Sequence, residues 1–265
     1  MKIRASLLVC LVVAGVSSAT AQRTDSIFAV VNIPAARVDV RRGEALAASF
    51  PVAVGTARFP TPTGAYTITE IVWNPWWIPP DSEWARDEKP MPPGPFNPMG
   101  RVKLLFAPFY FLHGTPDSSS IGRPASHGCV RMYNADAVAL ARVIMAYSED
   151  HGDAAVPSIL SRNTTTSILL RRPVSLLVVY DRFEVTDSIT TLYPDPYRRG
   201  APTLDEALNE LSLRFDAVPD TARVRAFIHL LPRRPMVIRS VTLLKTSPTS
   251  KARAASAQDS NGCAT

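Results

Sequence analysis

The 265-residue chain holds only three cysteines and four histidines. Past its first twenty residues it has no apolar stretch long enough to cross a bilayer as a helix, so no transmembrane segment is expected in the processed product. It has no run of alternating basic and aromatic residues, which excludes nucleic acid as a partner. No internal repeat is visible, and the length suits one good-sized core with a small appendage. Twenty-four prolines favour loops and strands over long helices.

What is present begins at the N-terminus. Lys2 and Arg4 precede an apolar run from Leu7 to Val16, and Ala19-Thr20-Ala21 offers a small-x-small cleavage site before Gln22. This is the layout of a secretory signal peptide over residues 1–21, which makes the product exported, to a periplasm or cell envelope. Val9 stands before Cys10 where lipidation requires a small residue, which argues against a lipid anchor. Losing Lys2 and Arg4 lowers the formal charge from +6 to +4, a mild bias towards anionic partners such as a wall or membrane surface. Cys129 and Cys263 remain after cleavage. Cys263 lies in the polar, small-residue tail 251–265, and a bridge into such a tail would constrain little structure.

The pattern along the chain is mostly that of short strands. Residues 26–33 and 37–40 read as a hairpin, with further strands over 47–54, 65–73, 102–106, 109–113, 175–180, 183–186 and 189–193. The stretch 74–100 is rich in proline and tryptophan, with room for one short helix over 81–88. A loop of that length in a compact domain serves as a lid or binding wall. The three tryptophans Trp73, Trp76 and Trp77 also suit the plugging of a core edge. Ala137, Leu140, Ala141, Ile144 and Met145 share one face of a helix starting at Asn134. Leu204, Leu208 and Leu211 do the same behind a Thr203 cap. Strands are expected over 227–231 and 236–244. The fold class is therefore mostly β, sandwich- or barrel-like, with a few short helices. The expected domain runs over 25–200, followed by an extension of unassigned role over 201–247 and a disordered tail over 248–265.

Chemistry concentrates in one place. His113-Gly114-Thr115 is followed closely by Ser126-His127-Gly128-Cys129-Val130-Arg131-Met132. A thiol is only a few per cent ionised near neutrality and needs a base or a stabilising field. His113 and His127 are both candidate bases, and the residues alone do not choose between them. Cys129, read as lying just ahead of the helix at Asn134, would also feel that helix dipole. Gly128 permits a tight turn, and the N–H groups of Gly128 and Cys129 suit an oxyanion. A small buried cysteine is the bland alternative, opposed by polar Ser126, His127 and Arg131 around it. A zinc site from His113, His127 and Cys129, with Asp117 or Asp136 as fourth ligand, is the sharper competitor. A serine hydrolase on Ser126-His127 is weaker, because adjacent residues rarely face each other. His151 and His229 have no comparable company.

At these residues the chain resembles the L,D-transpeptidases of bacterial cell walls, whose signature is a His-Gly pair, a loop, then Ser-His-Gly-Cys, an apolar residue, and Arg or Asn. The resemblance extends upstream to Val52-Ala53-Val54-Gly55, Thr61-Pro62-Thr63-Gly64 and Trp73-Asn74-Pro75, and downstream through 134–145 and, more loosely, to the strand around 174–180 and to 193–197. It implies Cys129 as nucleophile, His113 as general base and the Gly114 carbonyl as its orienting partner. His127 and Ser126 would line the site, and Arg131 would engage an anionic group of the substrate. The implied reaction is acyl transfer between peptidoglycan stem peptides through a thioester, giving a 3→3 cross-link, with no cofactor or metal. Hydrolysis or carboxypeptidase action at the same site, attachment of proteins to the wall, and non-catalytic wall binding are the alternatives.

Overall fold

The computed structural model describes residues 26–148 and 155–245. The signal-peptide segment, Cys10, His151, Cys263 and the tail from 248 lie outside the described residues.

Strands β1 (Ile27–Asn32) and β2 (Arg37–Arg42) form the expected antiparallel hairpin. Their alternation turns Ile27, Ala29 and Val31 into the core. β3 (Ala45–Gly55) is long because it serves two partners. Its first half pairs with β2, and Val52 and Ala53 pair with β8 (Val130–Tyr133). β4 (Gly64–Trp73), β5 (Val102–Ala107), β6 (Tyr110–Thr115) and β9 (Thr166–Val179) complete the sheet, in the order β2-β1-β9-β4-β5-β6-β8-β3. Since β3 also pairs with β2, the sheet closes on itself, which bears out the barrel-like expectation. Short β7 (Pro124–Ser126) adds in parallel beside Val54 and Gly55. β9 starts earlier than the residues suggested. Its ladder with β4 slips between Ile68 and Glu70, opposite Pro173, which has no N–H to give.

Helix α1 (Asn134–Ser148) buries the predicted face of Ala137, Leu140, Ala141, Ile144 and Met145. It covers one face of β5, β6 and β8, where Val102, Leu104, Leu112, Val130 and Met132 are buried. The alternating residues of these strands necessarily point to the opposite face, and Lys103, His113 and Arg131 stand in register there. α2 (Val156–Ser161) is a single short helix before β9.

Downstream, the structure departs from two expected strands. Residues 227–231 are not a strand. α4 (Thr221–Ile228) runs instead, because Asp220 caps it through the N–H groups of Ala222 and Arg223, and Val224, Phe227 and Ile228 fall at helical spacing on its buried face. β10 (Phe183–Val185), β11 (Ile189–Leu192) and β12 (Met236–Arg239) form a separate antiparallel sheet, so 236–244 is a strand only in its first half. That sheet packs with α3 (Leu204–Arg214) and α4 around Phe183, Leu192, Leu211 and Phe227, a second core that begins well before residue 200. Thr203 caps α3 as expected, in a reciprocal capping box with Glu206. Arg37 of β2 ties the two units together, reaching Glu184 at 2.6 Å and the Tyr193 hydroxyl at 3.0 Å.

Candidate active site

The register of the barrel assembles the site. Lys103 on β5 pairs with His113 on β6, and His113 pairs in turn with Arg131 on β8. Side chains in register share a face, so the imidazole stands in a row between two cations. His113 is buried, and its Nδ1 lies 2.7 Å from the Gly114 carbonyl oxygen. A carbonyl can only accept, so the proton sits on Nδ1 and Nε2 keeps its lone pair. Burial pushes the His113 pKa down to about 4, with Arg131 and Lys103 adding to the effect against the Gly114 bond.

Cys129 directly precedes β8 and is only partly exposed. Its Sγ is 3.6 Å from the Phe109 carbonyl and receives the backbone N–H of Phe111, two residues before His113 on β6. Burial raises the thiol pKa, while the Phe111 N–H, Arg131 and Lys103 pull it back down. The expected help from the α1 dipole is absent, because β8 intervenes between Cys129 and the helix.

The turn holding the cysteine is fixed from within. Gly128 has φ +110°, and a Cβ there would come within 2.7 Å of the Tyr110 ring. The buried Ser126 hydroxyl accepts the Gly128 N–H at 3.1 Å and donates to the Cys129 carbonyl at 2.5 Å. Two expectations change here. Ser126 staples the turn instead of facing a ligand, and the Gly128 N–H is engaged by it instead of pointing at an oxyanion. The Gly128 carbonyl accepts from Thr61 Oγ1 at 2.8 Å, and the trans peptide turns the Cys129 N–H the other way.

His127, of the two candidate bases, points elsewhere. It is exposed, stacked on Trp84 at 4.0 Å with an interplanar angle of 4°, and flanked by Phe59 at 4.8 Å. Burial against these rings lowers its pKa, with Arg131 and Arg58 contributing. Arg131 is half-buried and 3.9 Å from exposed Asp117, too loose a pair to occupy its guanidinium. Among the described residues no three His, Cys, Asp or Glu side chains gather to hold a metal ion, and Asp117 and Asp136 do not join the histidines and the thiol in such a group. His229 is exposed, away from the site.

Residues 26–168 match the family model of the L,D-transpeptidase catalytic domain, YkuD. The chain belongs to that family. It is 40% identical over 88 residues to an L,D-transpeptidase-type protein from the ATP synthase subunits region of Fuscovulum blasticum, covering 32% of this chain and 47% of that one. It is 34% identical over 100 residues to the YkuD protein of Bacillus licheniformis, covering 37% and 48%. The chain thus spans about half the length of these curated relatives. A solved L,D-transpeptidase from Mycobacterium smegmatis aligns over 58% of each chain at 16% identity and TM-score 0.37.

Several supports of this L,D-transpeptidase domain were not singled out by sequence reasoning. Thr61 is fully buried and bonds both sides of the cleft floor: its Oγ1 also accepts the Gly55 N–H at 2.8 Å, and its own N–H donates to the Tyr197 hydroxyl at 3.0 Å. Asn134 holds the His-Gly strand, accepting the Arg101 N–H at 3.0 Å and donating to the Thr115 carbonyl at 3.1 Å. Gly100 and Gly114 exist to admit it, since a Cβ on either would lie 2.2 Å from Asn134 Oδ1. The proline-rich segment is a built wall. Buried Asn97 donates to the carbonyls of Pro75, Met91 and Pro92, and the expected helix over 81–88 shrinks to a 3₁₀ turn, Glu83–Ala85, that presents Trp84 to His127. Trp73 plugs the core as expected, whereas Trp76 is exposed. Thr61 sits in a Thr-Pro-Thr-Gly stretch that could have marked it. Lys103 left no trace at all, because only cross-strand register places it.

Proposed function

We propose that this chain is an exported peptidoglycan L,D-transpeptidase that forms 3→3 cross-links, with Cys129 as nucleophile and His113 as general base. The observation that carries the reading is a buried imidazole on β6, its Nε2 left basic by the Gly114 bond, beside the strand β8 that a partly exposed thiol directly precedes.

His113 Nε2 takes the Sγ proton as sulfur attacks the carbonyl carbon of the third stem residue. The new C–S bond places negative charge on the carbonyl oxygen, and the Cys129 N–H, turned away from Thr61, donates to it. Collapse breaks the C–N bond to the terminal D-alanine, whose nitrogen receives the proton from Nε2. The thioester then accepts the side-chain amine of a second stem, which gives its proton to His113 and releases the thiol. Because His113 and Cys129 are each pushed towards neutrality by burial, the resting site is a neutral pair and the proton moves with the attack. The guanidinium of Arg131 offers a planar, two-pronged donor for a stem carboxylate. The Trp84–His127–Phe59 stack supplies an aromatic wall along the approach.

Incubation of the processed protein with tetrapeptide muropeptides, followed by mass spectrometry, tests the reading. Cross-linked dimers are expected. Tripeptides alone would make the site a carboxypeptidase, and an unchanged substrate would leave a wall-binding protein. The described residues include no helix long and apolar enough to cross a membrane, and the reading places the domain at the wall side after export.

A further inference from the structure

Lys103 is a half-buried cation for which neither acyl transfer nor core packing gives an obvious reason. It occupies an inward-alternating strand whose neighbours Val102 and Leu104 are wholly buried on the other side. Its Nζ sits 4.6 Å over the ring of Phe111, the residue whose backbone N–H reaches the sulfur. In register it lies beside His113, opposite Arg131.

We propose that Lys103 is a positioning residue for this reaction, its ammonium favouring negative charge on Cys129 sulfur and keeping the His113 imidazole unprotonated until sulfur attacks. The proposal rests on the reading of Cys129 as nucleophile. A cation held over an aromatic face keeps its charge in a partly dry site, where its field is weakly screened. The groups facing it are few. Glu70 on β4 stands diagonally across and helps keep the lysine protonated against its own burial. His113 comes from β6, Arg131 from β8, and Cys129 from the turn before β8. Arg131 is tied loosely to Asp117 and open to substrate, so its field on the sulfur changes when an anion binds. Lys103 feels Glu70 from β4 instead and supplies the steady part of the field. The same charge makes the transient imidazolium a stronger acid, which speeds its return of the proton to the departing amine.

The test follows alkylation of Cys129 by iodoacetamide from about pH 6 to about pH 12, by peptide-resolved mass spectrometry that separates Cys129 from Cys263. It uses the processed full-length protein as wild type, Lys103→Met, Lys103→Gln and Lys103→Arg. Loss of the charge is expected to move the alkylation midpoint up by about one pH unit in both neutral variants. D-alanine release at neutral pH falls about tenfold through kcat with KM little changed, and Lys103→Arg restores both. The glutamine variant keeps a polar head on the stem and carries the test if the methionine variant does not fold. Neutral variants that fold and share the wild-type midpoint overturn the proposal, as does an arginine variant that behaves like the neutral ones. If Cys129→Ala keeps D-alanine release, the reading of the nucleophile falls instead, whatever Lys103 does.

Discussion

His113 is buried as a neutral base between two cations, and this has consequences for pH that an exposed histidine would not have. Its pKa in the fold is about 4, below its ordinary value. An unfolded chain takes a proton at about pH 6.5 that the folded chain refuses until about pH 4. Within that window the unfolded state binds more protons, so stability falls as pH falls, by about 3 kcal/mol across the whole interval. Urea denaturation at neutral pH and at about pH 4.5 should show most of that loss in the wild type and little of it in His113→Gln. Catalysis should follow the same group. The acid limb of kcat/KM is expected near pH 4, with activity level through neutrality because the thiol titrates above its ordinary range. An acid limb at the ordinary histidine value would mean that another group, such as exposed His127, is the base.

The elements around the site show what the chain's residues disclosed and what they withheld. Period-two strands and the 134–145 helical face were legible because alternation and the 3.6-residue period are properties of neighbours in sequence. The Ser-His-Gly-Cys turn was legible because its residue types are unusual in a chain so poor in both Cys and His. The residues alone did not choose between His113 and His127, and only the resemblance pointed to His113, since the choice depends on which strand lies beside which. Gly128 at positive φ swings His127 out to Trp84 and leaves Cys129 facing β6. Thr61 was hidden for the same reason: it joins Gly55, Gly128 and Tyr197 across 136 positions of sequence. Thr61→Val keeps its volume and deletes the hydroxyl, leaving the Gly55 N–H and the Gly128 carbonyl without their partner. A loss of about 2 kcal/mol in stability is expected by thermal or urea unfolding. The freed turn should also lower kcat by tenfold or so, roughly the effect of an ångström of misplacement spread over both states. Gly114→Ala should be worse, by about 3 kcal/mol or more, because the Asn134 amide whose oxygen it would strike is held at both its oxygen and its nitrogen.

At the scale of the whole molecule, a closed barrel with one helix-covered face leaves the opposite face of β5, β6 and β8 for chemistry. The second core then decides how much of the chain is needed. After about residue 200 the chain shows no counterpart to the family it resembles, so an extension was expected from 201. In the fold, β10 and β11 lie before residue 200 yet pack with α3 and α4. Their apolar sides carry no mark of which core they serve. A chain ending at residue 202 would uncover Phe183, Val185 and Leu192 and should be recovered chiefly as aggregate, whereas one ending at residue 245 should stay monomeric by size-exclusion chromatography. Arg37→Ala is expected to be mild, about 1 kcal/mol, because the pair with Glu184 is partly exposed. Thermal unfolding with both cores monitored would register it as an earlier loss of the second.

The central claim is that Cys129 carries the acyl group. Intact-protein mass spectrometry after rapid acid quenching, with a tetrapeptide donor and no acceptor, measures this most directly. The account predicts an adduct equal to the donor minus D-alanine, mapped to Cys129, discharged by added amine acceptor and absent from Cys129→Ala. Turnover by Cys129→Ala, or an acyl group mapped to any other residue, would contradict it.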